Sequence, residues 1–389
     1  MEDSKRKLIR ITTIPASMRN LLRGQLKYMS QYYEVVAISS DGNGEMKAML
    51  HEQGDVRGIV VEMKRHPSPW NDFKSLCKLV KVFHKEKPFI VHTHTPKAGL
   101  LGMVAARITG VPHRLHTVAG LPLLVHQGMG RKVLNIMEKV TSACATQVLP
   151  NSYAMMRIME EEGLCKSEKM CVIGNGSSNG VDTKHFSPDA LAESKSELRQ
   201  KVGFEDDDFV FVFIGRIVKD KGMNELAHAI SLLSDKELRF KVVLIGGFET
   251  SLDPVTFDTT KVLKEHPHVK YLGGKRDVRP FLKMADALVF PSYREGFPNV
   301  VMEAGAMGLP AIVTDINGCN EIVVEGKNGR IIPPKDSDAL ANMMQWFIEH
   351  PVEVEAMGSN ARQMVVERYE REFVWEELLK TYQALTPNN

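Results

Sequence analysis

Short apolar runs alternate with amphipathic stretches along the whole chain. In the second half, the runs FVFVFIG at 209–215 and ALVFP at 287–291 contain no polar side chain, and KVVLIGG at 241–247 contains one. Such runs are typical of strands that helices bury on both faces. The alternation therefore predicts βαβ units with parallel sheets, which is the α/β class.

The same pattern predicts where the strands and the main helices lie. In the first half we expect strands at 8–14, 34–39, 58–62, 89–93, 114–118, 147–150 and 171–173. In the second half we expect them at 209–215, 241–246, 269–272, 287–291, 311–314 and 329–332. Apolar residues at helical spacing predict helices at 72–85, 99–109 and, near the C-terminus, 371–385.

A chain of 389 residues is too long for one ordinary hydrophobic core and fits two domains. The segment GNGSSNGVDTKHFSPD at 174–189 is rich in Gly, Asn, Ser and Pro, and we expect none of it to pack in a core. It is therefore the predicted linker. The predicted domains are 1–180 and 190–368, and we expect the last helix, at about 370–389, to pack back on the first domain.

Composition and charge restrict the class of protein. No stretch approaches the ~20 apolar residues of a membrane helix, and the N-terminus lacks a signal peptide pattern, so we expect a cytoplasmic protein. Five cysteines without a C-x-x-C pair indicate neither disulfides nor a zinc site. Residues 1–185 carry 26 Lys and Arg against 16 Asp and Glu, and residues 186–389 carry 24 against 32. The excess of basic residues in the first half fits a phosphate-bearing substrate or an anionic membrane surface. The alternative is a charge bias without function.

The segment EGFPNVVMEAGAMGLPAIV at 295–313 carries the strongest chemical signal. It follows an apolar strand, and Pro298 suits the first position of a helix. The free amides of residues 299–301 would then lie at the carboxyl end of a parallel sheet, where they can bind phosphate. Glu295 and Glu303 would repel a phosphate, so their expected partners are hydroxyl groups such as those of a ribose and a hexose.

A second segment, FIGRIVKDKGMNEL at 213–226, places two cations after another apolar strand. Arg216 follows Gly215 at the carboxyl end of this strand, and Lys221 comes five residues later, before a helix. Two cations at such a position can neutralise the charge that grows on a departing nucleoside diphosphate.

Together these segments resemble the retaining glycosyltransferases of family 4. The signature E-x7-E of that family corresponds to Glu295 and Glu303, and its GR…KG element corresponds to Arg216 and Lys221 with Gly222. The segments VHTHTPKAGLLGMVAARITGVP, GSSNGVD and PSYREGFPNVVMEA are similar to the branch that builds bacterial capsule and O-antigen repeats. The resemblance implies the GT-B fold, in which two Rossmann-like domains with parallel sheets face a central cleft.

The resemblance also implies a donor site in the second domain. Glu303 would hold the ribose hydroxyls, Glu295 the donor sugar, and Arg216 and Lys221 the diphosphate, with catalytic roles for Arg216, Lys221 and Glu295. The implied donor-binding residues are Gly215, Arg216, Lys221, Glu295, Gly296, Phe297, Asn299, Val300 and Glu303. The family is usually independent of metal, so we expect neither a metal ion nor a cofactor beyond the nucleotide sugar, which is a UDP-sugar in the branch that this chain resembles.

The family's first domain usually binds the acceptor, and its candidate loops follow the first, fourth and fifth strands. The implied acceptor residues are Met18, Arg19, His94, Lys97 and Gly120. The chain departs from the family at two places in these loops. It has Ala16-Ser17-Met18-Arg19 where many members carry paired glycines, and Ala119 where many carry a histidine.

The sequence thus predicts a transferase that moves a hexose or N-acetylhexosamine, with retention, from a UDP-sugar to a polyprenyl-diphosphate-linked or other saccharide acceptor in cell-surface polysaccharide synthesis. A nucleotide-sugar epimerase and a non-catalytic sugar-binding or nucleotide-sugar-binding subunit are the alternatives. No nucleic acid is expected as a partner. A helix over 18–30 would place Leu21, Leu22 and Leu26 beside basic residues, which predicts peripheral contact with the inner face of the cytoplasmic membrane. The competing interpretation places these leucines in the core.

Overall fold

The computed structural model describes residues 5–54, 56–64, 66, 68–125, 127–249 and 253–386. In it the chain forms two compact α/β units. The first unit takes the residues up to Asn179 together with those from Glu372 onward, and the second takes Gly180–Arg371. The second unit is therefore a continuous stretch of chain inserted between two parts of the first.

The first unit is built on a six-stranded parallel sheet in the order β3-β2-β1-β4-β5-β6. Its strands are β1 (Lys7–Ile11), β2 (Glu34–Ser39), β3 (Arg57–Val60), β4 (Ile90–Thr93), β5 (His113–Val118) and β6 (Gln147–Pro150). Its helices are α1 (Pro15–Leu21), α2 (Gln25–Met29), α3 (Glu45–Glu52), α4 (Pro69–Glu86), α5 (Pro96–Ile108), α6 (Gly128–Cys144), α7 (Tyr153–Glu161) and α16 (Arg371–Gln383).

Strand β1 shows how this sheet divides the core of the first unit. Ile9 and Ile11 belong to one hydrophobic cluster and Leu8 to another, because successive side chains of a strand point to opposite faces. The first cluster contains residues of α4, α5, α6 and α7, and the second contains residues of α1, α2, α3 and α16. The sheet is thus buried on both sides, which explains its nearly continuous apolar strands.

The second unit has a six-stranded parallel sheet in the order β12-β11-β10-β7-β8-β9. Its strands are β7 (Phe209–Ile214), β8 (Phe240–Ile245), β9 (Val269–Tyr271), β10 (Ala287–Phe290), β11 (Ala311–Thr314) and β12 (Gly329–Ile332). Its helices are α8 (Lys195–Val202), α9 (Met223–Ser234), α10 (Phe257–Glu265), α11 (Arg279–Met284), α12 (Asn299–Ala306), α13 (Cys319–Ile322), α14 (Ser337–Glu349) and α15 (Pro351–Tyr369). The two-sheet α/β architecture predicted from the sequence is confirmed.

The strand predicted at 171–173 is wrong. Only the preceding residue, Met170, forms an isolated bridge with Val148, and the N–H of Cys171 donates to the carbonyl oxygen of Val148 at 3.1 Å. Cys171 and Ile173 instead pack in the cluster that contains Leu8. The segment thus touches the edge strand β6 at one bridge and adds no further strand to the sheet.

The segment predicted as a linker without core residues also needs correction. The chain passes from the first unit to the second at Asn179, and Val181 and Phe186 are already buried in the core of the second unit. The N–H of Val181 donates to Tyr369 O, and the N–H of Arg371 donates to Val181 O, both at 2.9 Å. The beginning and the end of the second unit are therefore hydrogen-bonded to each other.

The single helix predicted over 18–30 is wrong as well. The chain forms two short helices there, α1 and α2, which are separated at Leu22–Gly24. The side chains of Leu22 and Leu26 are fully buried against core residues of the first unit, and Leu21 packs at the edge of the same cluster. These leucines face the core, so they cannot form a membrane-binding face.

Candidate active site

The second sheet changes its direction of winding between β7 and β10. The strands that follow β7 lie on one side of it, and the strands that follow β10 lie on the other. At such a point the loops that leave the carboxyl ends of the two strands diverge and leave a crevice for a ligand. The loops at 215–222 and 291–298 leave these two strands, so both sequence motifs lie at the same place in the second unit.

The loop after β7 is held by hydrogen bonds from its backbone to the segment that continues β8. The N–H of Gly215 donates to Ile245 O, and that of Ile217 donates to Gly247 O, both at 2.9 Å. Ile217 and Val218 are buried, whereas the neighbouring Arg216 is exposed. The guanidinium of Arg216 has no hydrogen-bond or ion-pair partner among the described residues. A cation on a fixed loop is thus available to an anionic ligand.

Lys221 and Glu295 form an ion pair between the two loops. The Lys221 ammonium donates to Oε1 of Glu295, which also accepts from the Ser292 hydroxyl at 2.9 Å. The two side chains are 17% and 16% exposed, and the ammonium lies 5.4 Å from the centre of the Phe290 ring. Partial burial strengthens such a pair relative to one at the surface. The resemblance assigns these residues to different parts of the donor, and the structure pairs them with each other.

Helix α12 begins one residue later than predicted, because Pro298 is its N-cap and Asn299 its first residue. The N–H of Val301 donates to Pro298 O at 3.2 Å. Within the described part of the chain, the N–H groups of Asn299 and Val300 have no acceptor. Two free amides and the positive end of the helix dipole therefore remain for a phosphate group.

The remaining predicted donor residues lie around the start of this helix. The side-chain amide of Asn317 donates to the carbonyl oxygens of Glu295 and Gly296 and so fixes the loop. Phe297 is 8% exposed and its ring lies 5.4 Å from the ring of Tyr369, so its side chain is part of the core. Glu303 lies half-buried on the second turn of α12.

The motif analysis did not identify Ser292 and Asn317, which support Glu295 and its loop. Asn317 lies in the loop after β11, and this strand is the neighbour of β10 in the sheet. The loop TDINGC after an apolar run was a usable signal, since loops after adjacent parallel strands meet at one edge. Identifying it required the strand order, which the motif spacing does not provide.

In the first unit the direction of winding changes between β1 and β4, and two of the three predicted acceptor loops follow these strands. The loops are joined by Thr13 and Thr95. The N–H of Thr13 donates to the Thr95 hydroxyl at 3.1 Å, and the two hydroxyl oxygens lie 2.7 Å apart. The sequence analysis missed this pair, although both threonines follow an apolar strand.

The five predicted acceptor residues have different surroundings. Met18 is fully buried in the core, so its side chain cannot reach an acceptor. Arg19 pairs with Glu52 at 2.7 Å. Lys97 is buried and pairs with Asp72 at 2.8 Å while donating to His66 O at 2.6 Å. These partners give Arg19 and Lys97 a structural role in this state. Gly120 lies half-buried in the loop after β5.

His94 belongs to a buried polar network. The Arg10 Nε–H donates to His94 Nε2 at 3.0 Å, which places the proton of a neutral His94 on Nδ1. Arg10 also donates to the side chain of Gln25, and Gln25 donates to Asn179 Oδ1 at 3.1 Å. Trp375 of α16 donates to the same oxygen at 2.7 Å. The network therefore ties the acceptor loop to the last helix of the same unit.

We expect the first unit to lose stability as the pH falls from about 6.5 to 5. Burial lowers the pKa of His92 and His94 well below the usual value and that of His116 to about 4. The unfolded chain therefore binds protons that the folded chain does not, at about 1.4 kcal/mol per proton and pH unit. Burial raises the pKa of Glu138 to about 7. The folded chain therefore binds one proton here that the unfolded chain does not, which offsets part of the loss of stability. The net loss is about 1–3 kcal/mol per pH unit, and it is smallest near pH 6.5, where the unfolded histidines are half protonated.

Urea unfolding curves at several pH values would measure this slope. His116→Asn is the matched variant, because an amide can keep the hydrogen bond of 2.8 Å between His116 Nδ1 and Thr93 without binding a proton. Its free energy of unfolding should fall less steeply, by about 1 kcal/mol per pH unit. Identical slopes for the two proteins would contradict the lowered pKa of His116 in the folded chain.

Comparisons with known proteins agree with this architecture. The chain is 36% identical over 380 residues to the capsular polysaccharide biosynthesis glycosyltransferase CapM of Staphylococcus aureus, which covers 97% of this chain and 96% of that protein. The model of glycosyl transferases group 1 matches residues 194–364, and that of the glycosyl transferase 4-like domain matches residues 18–176. The chain belongs to the family 4 glycosyltransferases.

Two further comparisons place this glycosyltransferase among proteins with named ligands. It is 32% identical over 316 residues, 79% of this chain and 78% of the other, to the UDP-Gal:alpha-D-GlcNAc-diphosphoundecaprenol alpha-1,3-galactosyltransferase of Escherichia coli. The crystal structure of Anabaena Alr3699/HepE in complex with UDP matches with a TM-score of 0.79 at 21% identity, covering 98% of this chain and 100% of that one. This likeness confirms the GT-B fold, and family membership favours a transferase over an epimerase or a non-catalytic subunit.

Among the described residues, no group of three or more His, Cys, Asp and Glu side chains could hold a metal ion. Within the same part of the chain, no helix is long and apolar enough to span a membrane.

Proposed function

We propose that this glycosyltransferase transfers a hexose or N-acetylhexosamine from a UDP-sugar to a saccharide linked to polyprenyl diphosphate, with retention at the anomeric carbon. The observation that carries the proposal is the group of Arg216, Lys221 and the Asn299 and Val300 amides at the winding change of the second sheet. This group offers positive charge and free donors to a diphosphate. The carboxylates of Glu295 and Glu303, which would accept from sugar hydroxyls, lie in the same segment as the two amides.

The UDP part of the proposal is supported by the names of similar proteins. The E. coli relative is named for a UDP-galactose donor, and the Anabaena structure contains UDP. In this chain, Glu303 on α12 would accept from the ribose hydroxyls. The free amides at the start of α12 and the Arg216 guanidinium would bind the diphosphate.

The Lys221–Glu295 ion pair gives the site a way to respond to the donor. While Lys221 is paired with Glu295, its charge is largely neutralised. A diphosphate that approaches Lys221 competes with the Glu295 carboxylate for the ammonium. A sugar hydroxyl that donates to Glu295 replaces the hydrogen bond that the carboxylate then loses. We therefore infer that a ligand with both groups binds better than a diphosphate or a sugar alone.

Retention would follow from departure of the diphosphate and attack of the acceptor on the same face of the sugar. Glu295 is already engaged by Lys221 and Ser292, which does not favour it as a covalent nucleophile. In the proposed step the bond between the anomeric carbon and the phosphate oxygen breaks, and the acceptor oxygen forms the new bond. The acceptor proton passes to the departing phosphate, whose charge Arg216 and Lys221 stabilise without a metal ion.

The acceptor part of the proposal rests on the first unit and on the names of the relatives. The E. coli relative acts on a diphosphoundecaprenol-linked sugar, and CapM is named for capsular polysaccharide biosynthesis. The first domain carries the excess of basic residues that an anionic diphosphate acceptor would favour. The enzyme would then work in cell-surface polysaccharide synthesis at the inner face of the cytoplasmic membrane.

Replacing Glu303 by alanine should weaken UDP binding by about 1–3 kcal/mol, because the ribose hydroxyls would lose a charged acceptor. Titration calorimetry with UDP measures the effect directly. The matched control is Glu355→Ala, which removes an exposed carboxylate from α15 of the same unit and should leave the affinity unchanged. An unchanged affinity in Glu303→Ala would show that the ribose is bound elsewhere.

A further inference from the structure

Helices α4, α5 and α6 form one layer on the same face of the first sheet. Helix α5 packs against both α4 and α6, and most of its residues are buried. The outer surface of this layer therefore comes mainly from α4 and α6. Both helices follow a parallel strand, so their N-terminal ends lie at the carboxyl edge of the sheet, where the loops with His94 and Gly120 also lie.

Helix α6 exposes a continuous apolar ridge. Met129 is 74% exposed, Val133 50%, Ile136 61% and Val140 38%. Their spacing of four, three and four residues places them on one face of the helix, above one another. A single exposed apolar residue is normal on a protein surface, but a line of four along one helix marks a contact surface.

The N-terminal end of α4 adds two exposed aromatic side chains. Trp70 is 69% exposed and Phe73 58%, and their rings stack with centres 6.3 Å apart. The Lys74 ammonium lies 5.4 Å from the centre of the Trp70 ring. Aromatic rings beside a lysine suit a boundary between water and an apolar phase, because the rings can enter that phase while the ammonium stays hydrated.

The charge on this surface has one sign. The exposed lysines of α4 and α6 are Lys74, Lys78, Lys81, Lys85, Lys132 and Lys139. The carboxylates of the same helices are not available to balance them. Asp72 pairs with Lys97, Glu86 pairs with Lys7 and Arg57, and Glu138 is buried. Exposed apolar side chains and lysines on two helices without exposed carboxylates are complementary to an anionic lipid surface.

We propose that the exposed face of α4 and α6 is the surface with which this enzyme lies on an anionic lipid bilayer. The apolar side chains of the ridge are 38–74% exposed, so they can enter a soft interface. The exposed lysines of α4 and α6 match the charge of acidic lipid headgroups. The inference rests on the proposed function and deepens it. A lipid-linked acceptor would reach the enzyme at the carboxyl edge of the first sheet, where the N-terminal ends of these helices lie. The exposed face of α4 and α6 replaces the basic N-terminal segment as the expected contact.

Sedimentation with lipid vesicles tests the proposal on the full chain. The protein should bind vesicles that contain phosphatidylglycerol more tightly than vesicles of phosphatidylcholine alone, and high salt should weaken the binding. Met129→Ser with Ile136→Ser should lower the vesicle affinity by about tenfold or more. Lys74→Gln with Lys78→Gln should lower it by about thirtyfold, from ~1 kcal/mol per lysine. All four side chains are exposed, so these variants should stay folded.

Matched controls remove similar groups elsewhere. Phe257→Ser with Val352→Ser takes two exposed apolar side chains from the second unit, and Arg23→Gln with Lys27→Gln takes two exposed cations from the N-terminal segment. Both should bind vesicles like the unchanged protein. Equal binding to neutral vesicles, no binding to either kind, or unchanged binding of the ridge variant would overturn the proposal. The proposal would also be overturned if the unchanged protein were a dimer and the ridge variant a monomer, because a second copy would then cover the ridge.

UDP titration of the same variants separates this inference from the proposed function. The ridge and lysine variants should bind UDP normally, since the donor residues lie in the second unit. If the unchanged protein binds UDP normally but does not bind vesicles, the docking surface is refuted and the donor assignment is not affected. Failure of the unchanged protein to bind UDP would instead contradict the donor assignment.

Discussion

Alanine at Arg216 should lower kcat by about 10²–10³-fold and change KM much less. The charge on the diphosphate oxygen grows as the bond to the sugar breaks, so a cation beside it stabilises the transition state more than the bound substrate. Arg216 is suited to this role because it is exposed on a fixed loop and has no partner among the described residues. Steady-state kinetics with the sugar donor varied would measure both constants.

Lys221→Ala should also reduce kcat, but its effect should depend on Glu295. Removing Lys221 leaves a partly buried carboxylate beside the site, which should repel the diphosphate. In Lys221→Ala combined with Glu295→Gln this repulsion is absent, so the losses should not be additive. Lys219→Ala is the control, because Lys219 is an exposed cation of the same short turn. A rise in KM alone for Arg216→Ala or Lys221→Ala would mean that these cations only hold the donor.

Gly222→Ala should lower the free energy of unfolding by about 2–5 kcal/mol. Gly222 has φ +70, which costs an alanine about 1–2 kcal/mol, and its added Cβ would lie 2.0 Å from the carbonyl oxygen of Pro291. The loop after β7 and the loop after β10 would have to separate to relieve this contact, with a further cost typical of overpacking. The Lys221–Glu295 pair joins the same loops, so UDP binding should weaken as well.

Gly203→Ala is the matched control for this change. Gly203 ends α8 with φ +81, and an added Cβ would have no neighbour within 4 Å. It should therefore cost only the backbone strain of about 1–2 kcal/mol. Denaturant unfolding would compare the two variants. Equal losses would mean that the loops at 215–222 and 291–298 can separate at no cost.

The strands were largely predictable because buried parallel strands have apolar residues on both faces. The strands at Glu34–Ser39, Ala311–Thr314 and Gly329–Ile332 have the predicted bounds. The same criterion failed at 171–173, where the described residues pair with the edge strand β6 only through an isolated bridge at Met170 and one backbone hydrogen bond. It also could not decide between membrane and core for Leu22 and Leu26, because an amphipathic pattern records only that one face is buried and not what buries it.

The donor motif could be recognised from the sequence, but the ion pair between Lys221 and Glu295 could not. Spacing alone placed Glu295 before a helix and Glu303 inside it, and this depends only on local structure. The pairing of Lys221 with Glu295 joins residues that are far apart in sequence. It follows from β7 and β10 being neighbours, which a motif does not encode. The burial of Met18 and the pairing of Lys97 with Asp72 likewise depend on tertiary packing.

The insertion of the second unit into the first has a consequence for synthesis on the ribosome. Leu378, Leu379 and Tyr382 of α16 complete the cluster that contains Leu8 and Leu26. The first unit therefore begins to emerge first, yet its core is completed only after the whole of Gly180–Arg371 has been translated. At typical elongation rates this interval is roughly 10–40 s. During it, the sheet face that α16 will cover remains open to chaperones or to other nascent chains, whereas the second unit can already fold.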